Sequence, residues 1–104
     1  MATLQPEFAV AVYFAYILAT RSRSLTFGTT NNLVRRVGRH RAMEPDRHRE
    51  YRLVYFERWK TAEAALLREQ ELGRQTYQRL TDLVTAHNPS WSDLAAEWFI
   101  PRRA

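Results

Sequence analysis

The feature that most constrains this chain is an uncharged apolar run from Phe8 to Ala19, FAVAVYFAYILA. It is about half the length that a bilayer-spanning helix requires. Glu7 precedes it where an export signal would carry basic residues, and no convincing cleavage-like site follows. Val10 to Ala19 is rich in Val, Tyr, Phe and Ile and apolar on both faces, which predicts a buried central strand. No membrane association is expected, and a cytoplasmic location is. The chain has 104 residues and no cysteine, so disulfide scaffolds, thiolate zinc sites, iron–sulfur clusters and cysteine nucleophiles are excluded together. Its core must close on apolar side chains alone, which is feasible but marginal at this length. Hydrophobic residues at 45% and charged residues at 26% fit a globular chain and argue against disorder.

The remaining elements follow from local signals. Arg21 to Ser24 is a polar turn, and Leu25 to Thr29 is a short strand pairing with the first as an antiparallel hairpin. Asn31 and Asn32 offer an N-cap for a helix to about His40, with Leu33, Val34 and Val37 as its apolar stripe. Pro45 forbids a continuous helix through Arg41 to Glu50. Tyr51 to Glu57 is a third strand. Thr61 caps a helix that Gly73 stops. Another helix runs from about Thr76 to Ala86, and Asn88-Pro89 breaks the chain. Ser90 with Asp93 resembles a capping box for a last helix, with Trp91, Leu94 and Trp98 on one face. The expected order is β-β-α-β-α-α-α: an α+β fold with a small three-stranded antiparallel sheet flanked by helices. One domain is expected over 1–104, with its core at about 10–88 and the C-terminal helix at about 90–99.

Sixteen basic residues against eleven acidic ones give a net charge of +5, and Lys60 is the single lysine. Nine arginines fall between Arg21 and Arg52, against Glu44, Asp46 and Glu50, so that stretch alone carries +6. Concentrated arginine is the usual footprint of phosphate-backbone binding, although a solvated arginine-rich face gives the same count. The arginines read as nucleic-acid contacts are Arg21, Arg23, Arg35, Arg39 and Arg41.

Three features fit poorly with a purely structural reading: Glu69, the pair Arg36 and His40, and an excess of strand tyrosines. Glu69 lies four residues after Ala65 and three before Leu72, on the apolar stripe of its helix. A carboxylate there must be paired, metal-bound or at a rim, since burying it alone is costly. Arg36 and His40 follow Leu33 at spacings of three and seven, so both point near the sheet, whereas Arg35 and Arg39 point elsewhere. A guanidinium beside a sheet suits a phosphate, whose oxygens match its planar fork. Tyr13, Tyr16, Tyr51 and Tyr55 all sit on predicted strands, where tyrosine is favoured anyway. His40, Glu44 and His48 would line one helical face as metal ligands, but Pro45 interrupts that helix, and a zinc site is not expected.

In this order the residues resemble the GIY-YIG nuclease superfamily, especially its small single-domain bacterial members. The resemblance runs from Phe14 to Leu94. FAYILAT (14–20) is similar to the first motif strand, with Tyr16 at the GIY tyrosine. LTFGTTNNLVRRVGRH (25–40) is similar to the second motif strand, its glycine Gly28 and the following helix, with Arg36 and His40 at catalytic positions. YRLVYFE (51–57) resembles the third strand, and AALLREQEL (64–72) the helix whose glutamate, here Glu69, binds metal. HNPSWSDL (87–94) resembles the ending of the single-domain subgroup. One position departs: Thr26 stands where the YIG motif has its tyrosine.

The resemblance implies hydrolysis of DNA phosphodiester bonds assisted by one Mg²⁺ or Mn²⁺ on Glu69. It implies Arg36 countering phosphorane charge, and Tyr16 with His40 activating or positioning water. The alternative is a catalytically weakened nucleic-acid-binding module, which Thr26 favours. A third reading is a protein-interaction domain using Trp91, Trp98 and Phe99, which the basic segment disfavours. Without an appended binding domain, specificity falls to this surface or to a protein partner.

Overall fold

The computed structural model describes residues 12–43 and 51–98. Six elements follow one another: β1 (Tyr13–Ala19), β2 (Leu25–Thr30), α1 (Leu33–Met43), β3 (Arg52–Trp59), α2 (Ala62–Gly73) and α3 (Tyr77–His87). The sheet order is β2-β1-β3 with both pairings antiparallel, so β1 is the central strand, as its two apolar faces require. Val10, Pro45, Glu44 and His48 lie outside the described residues. No helix among the described residues is long and apolar enough to cross a membrane.

Alternation along β1 divides the core in two. Tyr16 and Leu18 face α1, packing with Leu33, Val37, Leu53 and Ala95. Ile17 and Ala19 face the other helices, packing with Val54, Leu72, Leu80, Val84 and Trp91. Leu18 pairs with Leu53 and Ile17 with Tyr55, so β3 bulges at Val54. The bulge turns both Val54 and Tyr55 toward the α3 side.

Side-chain oxygens cap all three helices. Asn32 Oδ1 accepts from Arg35 N at 3.0 Å, Thr61 Oγ1 from Ala64 N at 3.0 Å, and Thr76 Oγ1 from Arg79 N at 3.2 Å. The hairpin closes through Thr20 N donating to Ser24 O at 3.0 Å, with Arg23 in a left-handed conformation at φ 67°.

Among the described residues the expected helix at 90–99 does not form: residues 94–98 are turns. The atoms that would start it are used elsewhere. Asp93 Oδ1 accepts from Leu53 N and Ala95 N, both at 3.1 Å, and Asp93 also pairs with Arg41. Leu94 N donates to Leu53 O at 2.8 Å. The segment therefore closes the outer edge of β3. It sends Trp91 into the core on one face of the sheet and Ala95 into the core on the other.

Asn88 is the buried polar residue that joins these parts. Its amide nitrogen donates to Val54 O at 3.1 Å, the carbonyl at the bulge, and to Ser92 O at 2.9 Å. Its amide oxygen accepts from Ser92 N at 3.2 Å. Asn88→Ala leaves Val54 O without this donor, which costs about 2 kcal/mol. Urea unfolding will show that loss, and Asn88→Asp will be worse because it sets a carboxylate oxygen against the carbonyl.

Candidate nucleic-acid interface and active site

Tyr16 sits at the middle of β1 and faces α1, with Gly28 directly opposite on β2. The Tyr16 ring crosses the strand over that glycine. A Cβ on residue 28 would stand 2.5 Å from Tyr16 Cζ and nearer still to its hydroxyl oxygen. Glycine is therefore required here by close approach, not by backbone angle. The phenol is only 2% exposed, and its oxygen accepts a long hydrogen bond of 3.4 Å from Arg36 Nη1. His40, one turn further along α1, meets the Tyr16 ring edge-on at 6.5 Å between centroids and lies tilted against Tyr51 at 6.3 Å.

Thr26 pairs with Leu18 on this same face of the sheet and is exposed. Tyr13 and Tyr55 point to the opposite face. Burial, then the acceptor and charge of Glu57, push the Tyr55 hydroxyl up to about 12, so it stays neutral.

The arginines divide into two groups. Arg35, Arg36 and Arg39 line one open cleft of about 230 Å³, together with Thr30, Asn31 and Asn32. Helical spacing set Arg36 apart from the other two, but the cleft lies along the flank of α1, where long side chains at spacings of one and four converge. Arg21 is exposed in the hairpin turn. Arg23 lies 4.2 Å over the Trp91 ring, and Arg41 pairs with Asp93, so these two hold the protein together.

Glu69 is half-buried between the buried Ala65 and Leu72 of α2, which packs on β2 and β1 from the face opposite α1. It makes no hydrogen bond or ion pair among the described residues. The structure thus joins Tyr16, Arg36 and His40, while Glu69 comes from the other layer. Helical phase puts Arg68 and Glu69 on opposite flanks of the α2 stripe. Arg68 grips Glu57 of β3, which leaves Glu69 on the β2 flank of the helix.

That grip had no clear sequence signal. Arg68 Nε donates to both Glu57 oxygens at 2.9 and 3.0 Å, and Arg68 Nη1 donates to Glu71 Oε1 at 2.6 Å. Tyr55 and Trp59 also donate to Glu57. Burial pushes the Glu57 carboxyl up, but Arg68 and the Tyr55 hydroxyl outweigh it and hold the group below the usual value of 4.5. No group of three or more His, Cys, Asp or Glu among the described residues is placed to hold a metal ion.

No protein-family model matches the chain, and no curated protein matches it either. The chain is similar in structure to the solution NMR structure of the UPF0213 protein BH0048 from Bacillus halodurans. The TM-score is 0.52 at 21% identity, covering 83% of this chain and 97% of that one. The likeness supports the α+β fold described above, a three-stranded antiparallel sheet with helices. At this identity it carries the fold alone.

Two measurements check the site. Gly28→Ala forces the Tyr16 ring off the strand and destabilises the fold by about 1–3 kcal/mol. Adding Tyr16→Leu recovers part of that loss, so the double-mutant cycle is non-additive. The second concerns acid. A carboxylate whose folded pKa is lowered adds stability above its unfolded value of 4.5, lost as pH falls through the folded value. Glu57→Gln will therefore be less stable than the parent at neutral pH, and the gap will close in acid.

Proposed function

We propose that the chain is a divalent-metal-dependent endonuclease that hydrolyses DNA phosphodiester bonds at a GIY-YIG-like site. The observation that carries this reading is the Tyr16 hydroxyl, seated over Gly28 and hydrogen-bonded to Arg36, which also lines the three-arginine cleft. Guanidinium groups at Arg35 and Arg39 would hold backbone phosphates through charge-assisted hydrogen bonds. Arg36 would then lie against the phosphate nearest Tyr16 and counter the charge that develops on its oxygens.

So little of Tyr16 meets solvent that a water it orients must stand at the Arg36 side. There the phenol oxygen can accept from the water while Arg36 holds the phosphate. His40, edge-on to the same ring, is the neighbouring imidazole that would serve as general base or proton relay.

Glu69 fits a Mg²⁺ or Mn²⁺ ion. Its carboxylate lacks a protein partner among the described residues, and magnesium commonly takes one or two carboxylates, keeping waters and phosphate oxygens for the rest. When bound, the ion supplies charge stabilisation to the leaving oxygen.

A second reading, a nucleic-acid-binding module with weakened catalysis, is favoured by Thr26, which brings no phenol to this face. Specificity would then come from the cleft or from a protein partner.

Cleavage of single-stranded, duplex and branched DNA with Mg²⁺ or Mn²⁺, with and without chelator, decides between them. Under the nuclease reading Glu69→Ala abolishes cleavage, and Arg36→Ala lowers it by about a hundredfold or more. Thr26→Tyr raises it where the added ring reaches the water. Absence of metal-dependent cleavage on every substrate, with none created by Thr26→Tyr, leaves the binding module. Under both readings DNA affinity falls steeply with salt through counterion release, and a flat salt titration overturns both.

A further inference from the structure

We propose that Arg68 and Glu57 form a clamp that sets the rotation of α2 and thereby positions the Glu69 carboxylate. This rests on the reading of Glu69 as the metal-holding residue. It starts from the kind of contact that holds this helix: α2 lies close on β2 and β1. The buried residues of α2 are Ala65 and Leu72, whereas Leu66 and Leu67 are 47% and 65% exposed. Over the turn that carries Glu69, no large apolar side chain of α2 is keyed into the sheet. Close packing through a small alanine fixes the distance of the helix from the sheet more firmly than its rotation about its own axis.

Rolling matters for a ligand. At a side-chain radius of about 5–6 Å, a rotation of about 20° moves the side-chain tip by about 2 Å. Functional groups must be held within about 0.5 Å of their working positions. The residue next to Glu69 in sequence, on the opposite flank of the stripe, is the one fixed most firmly. Arg68 Nε is shared between both oxygens of Glu57, and its Nη1 is tied to Glu71 on its own helix.

Glu57 is itself immobilised on β3 by the Tyr55 hydroxyl and by Trp59 Nε1 at 3.0 Å. The clamp therefore runs from a rigid strand to the helix flank, with side-chain exposures of 24% for Arg68 and 17% for Glu57. A buried ion pair is an inefficient way to add stability, because desolvation offsets the attraction. What it supplies that an apolar contact does not is a fixed angle. The planar guanidinium against a strand-bound carboxylate admits one roll of α2. That roll turns Glu69 to the β2 flank of the helix, away from Glu57 on β3.

The test is a Mn²⁺ titration of the full chain without nucleic acid, followed by NMR line broadening of the Leu66–Leu72 amide signals. Glu69→Gln removes the broadening. Glu57→Gln, which keeps the side-chain shape, and Arg68→Met each raise the Mn²⁺ concentration for half-broadening ~10-fold, the usual scale for losing a group that orients a ligand. Metal-free DNA affinity stays at the parent value in both, which separates misplacement of Glu69 from general unfolding. Exchanging the pair, Glu57→Arg with Arg68→Glu, restores part of the Mn²⁺ response. Parent-like broadening in folded Glu57→Gln overturns the clamp while leaving the metal assignment standing. Parent-like broadening in Glu69→Gln overturns the metal assignment, and the clamp with it.

Discussion

β1 has neither a free face nor a free edge, and the rest of the domain is arranged around that fact. Its two edges are taken by β2 and β3, and its two faces by α1 and by α2 with α3. Every side chain along it is thereby assigned to one layer or the other. Tyr16 must face α1, and it must find room between strands that are already paired. Gly28 provides that room by having no side chain. The ring then lies flat enough across β2 to bring its hydroxyl to Arg36. The core and the candidate site are consequently one packing solution, in which the largest fully buried side chain is also the one that carries the phenol.

Much of this was legible in the chain, and the parts that were share a cause. The apolar run of β1, the caps at Asn32, Thr61 and Thr76 and the breaks at Gly73 and Asn88 are local signals, and the structure keeps each of them. Spacing from Leu33 placed Arg36 and His40 toward the sheet, which is where they stand. What was not legible depends on partners far away in sequence. Asp93 reads locally as a helix-starting residue, yet its oxygens are taken by Leu53, Ala95 and Arg41, of which Leu53 lies 40 residues away. Asn88 reads as a chain break, and its larger task, satisfying the carbonyl freed by the bulge at Val54, appears only once β3 is paired to β1.

Charge follows the same rule. The count of nine arginines between Arg21 and Arg52 pointed to a phosphate-binding surface, but a count does not distinguish a free guanidinium from an anchored one. Arg23 stacks on Trp91 and Arg41 pairs with Asp93, each joining an early segment to the C-terminal one. Arg35, Arg36 and Arg39 remain gathered in one cleft. A smaller set of converging arginines is a sharper recognition device than a diffuse field, because the forks can match individual phosphate oxygens.

Under the proposed nuclease reading, the threonine at position 26 narrows the chemistry of that cleft by elimination. Of the strand tyrosines, Tyr13 and Tyr55 face the other layer, and Tyr55 is held neutral to about 12 by burial and Glu57. Tyr51 packs on this face against the Tyr16 cluster and lies tilted beside His40, but it makes no hydrogen bond to Arg36. Under the proposed nuclease reading, a proton leaving a water near Arg36 would meet the Tyr16 phenol, the one hydrogen-bonded to Arg36, and the His40 imidazole beside it. Thr26 offers a hydroxyl that can orient a water by hydrogen bonding but has no accessible anionic form. A site so composed would place the burden on preorganisation: the guanidinium and phenol would be fixed before substrate arrives, because the Tyr16 ring is buried over Gly28.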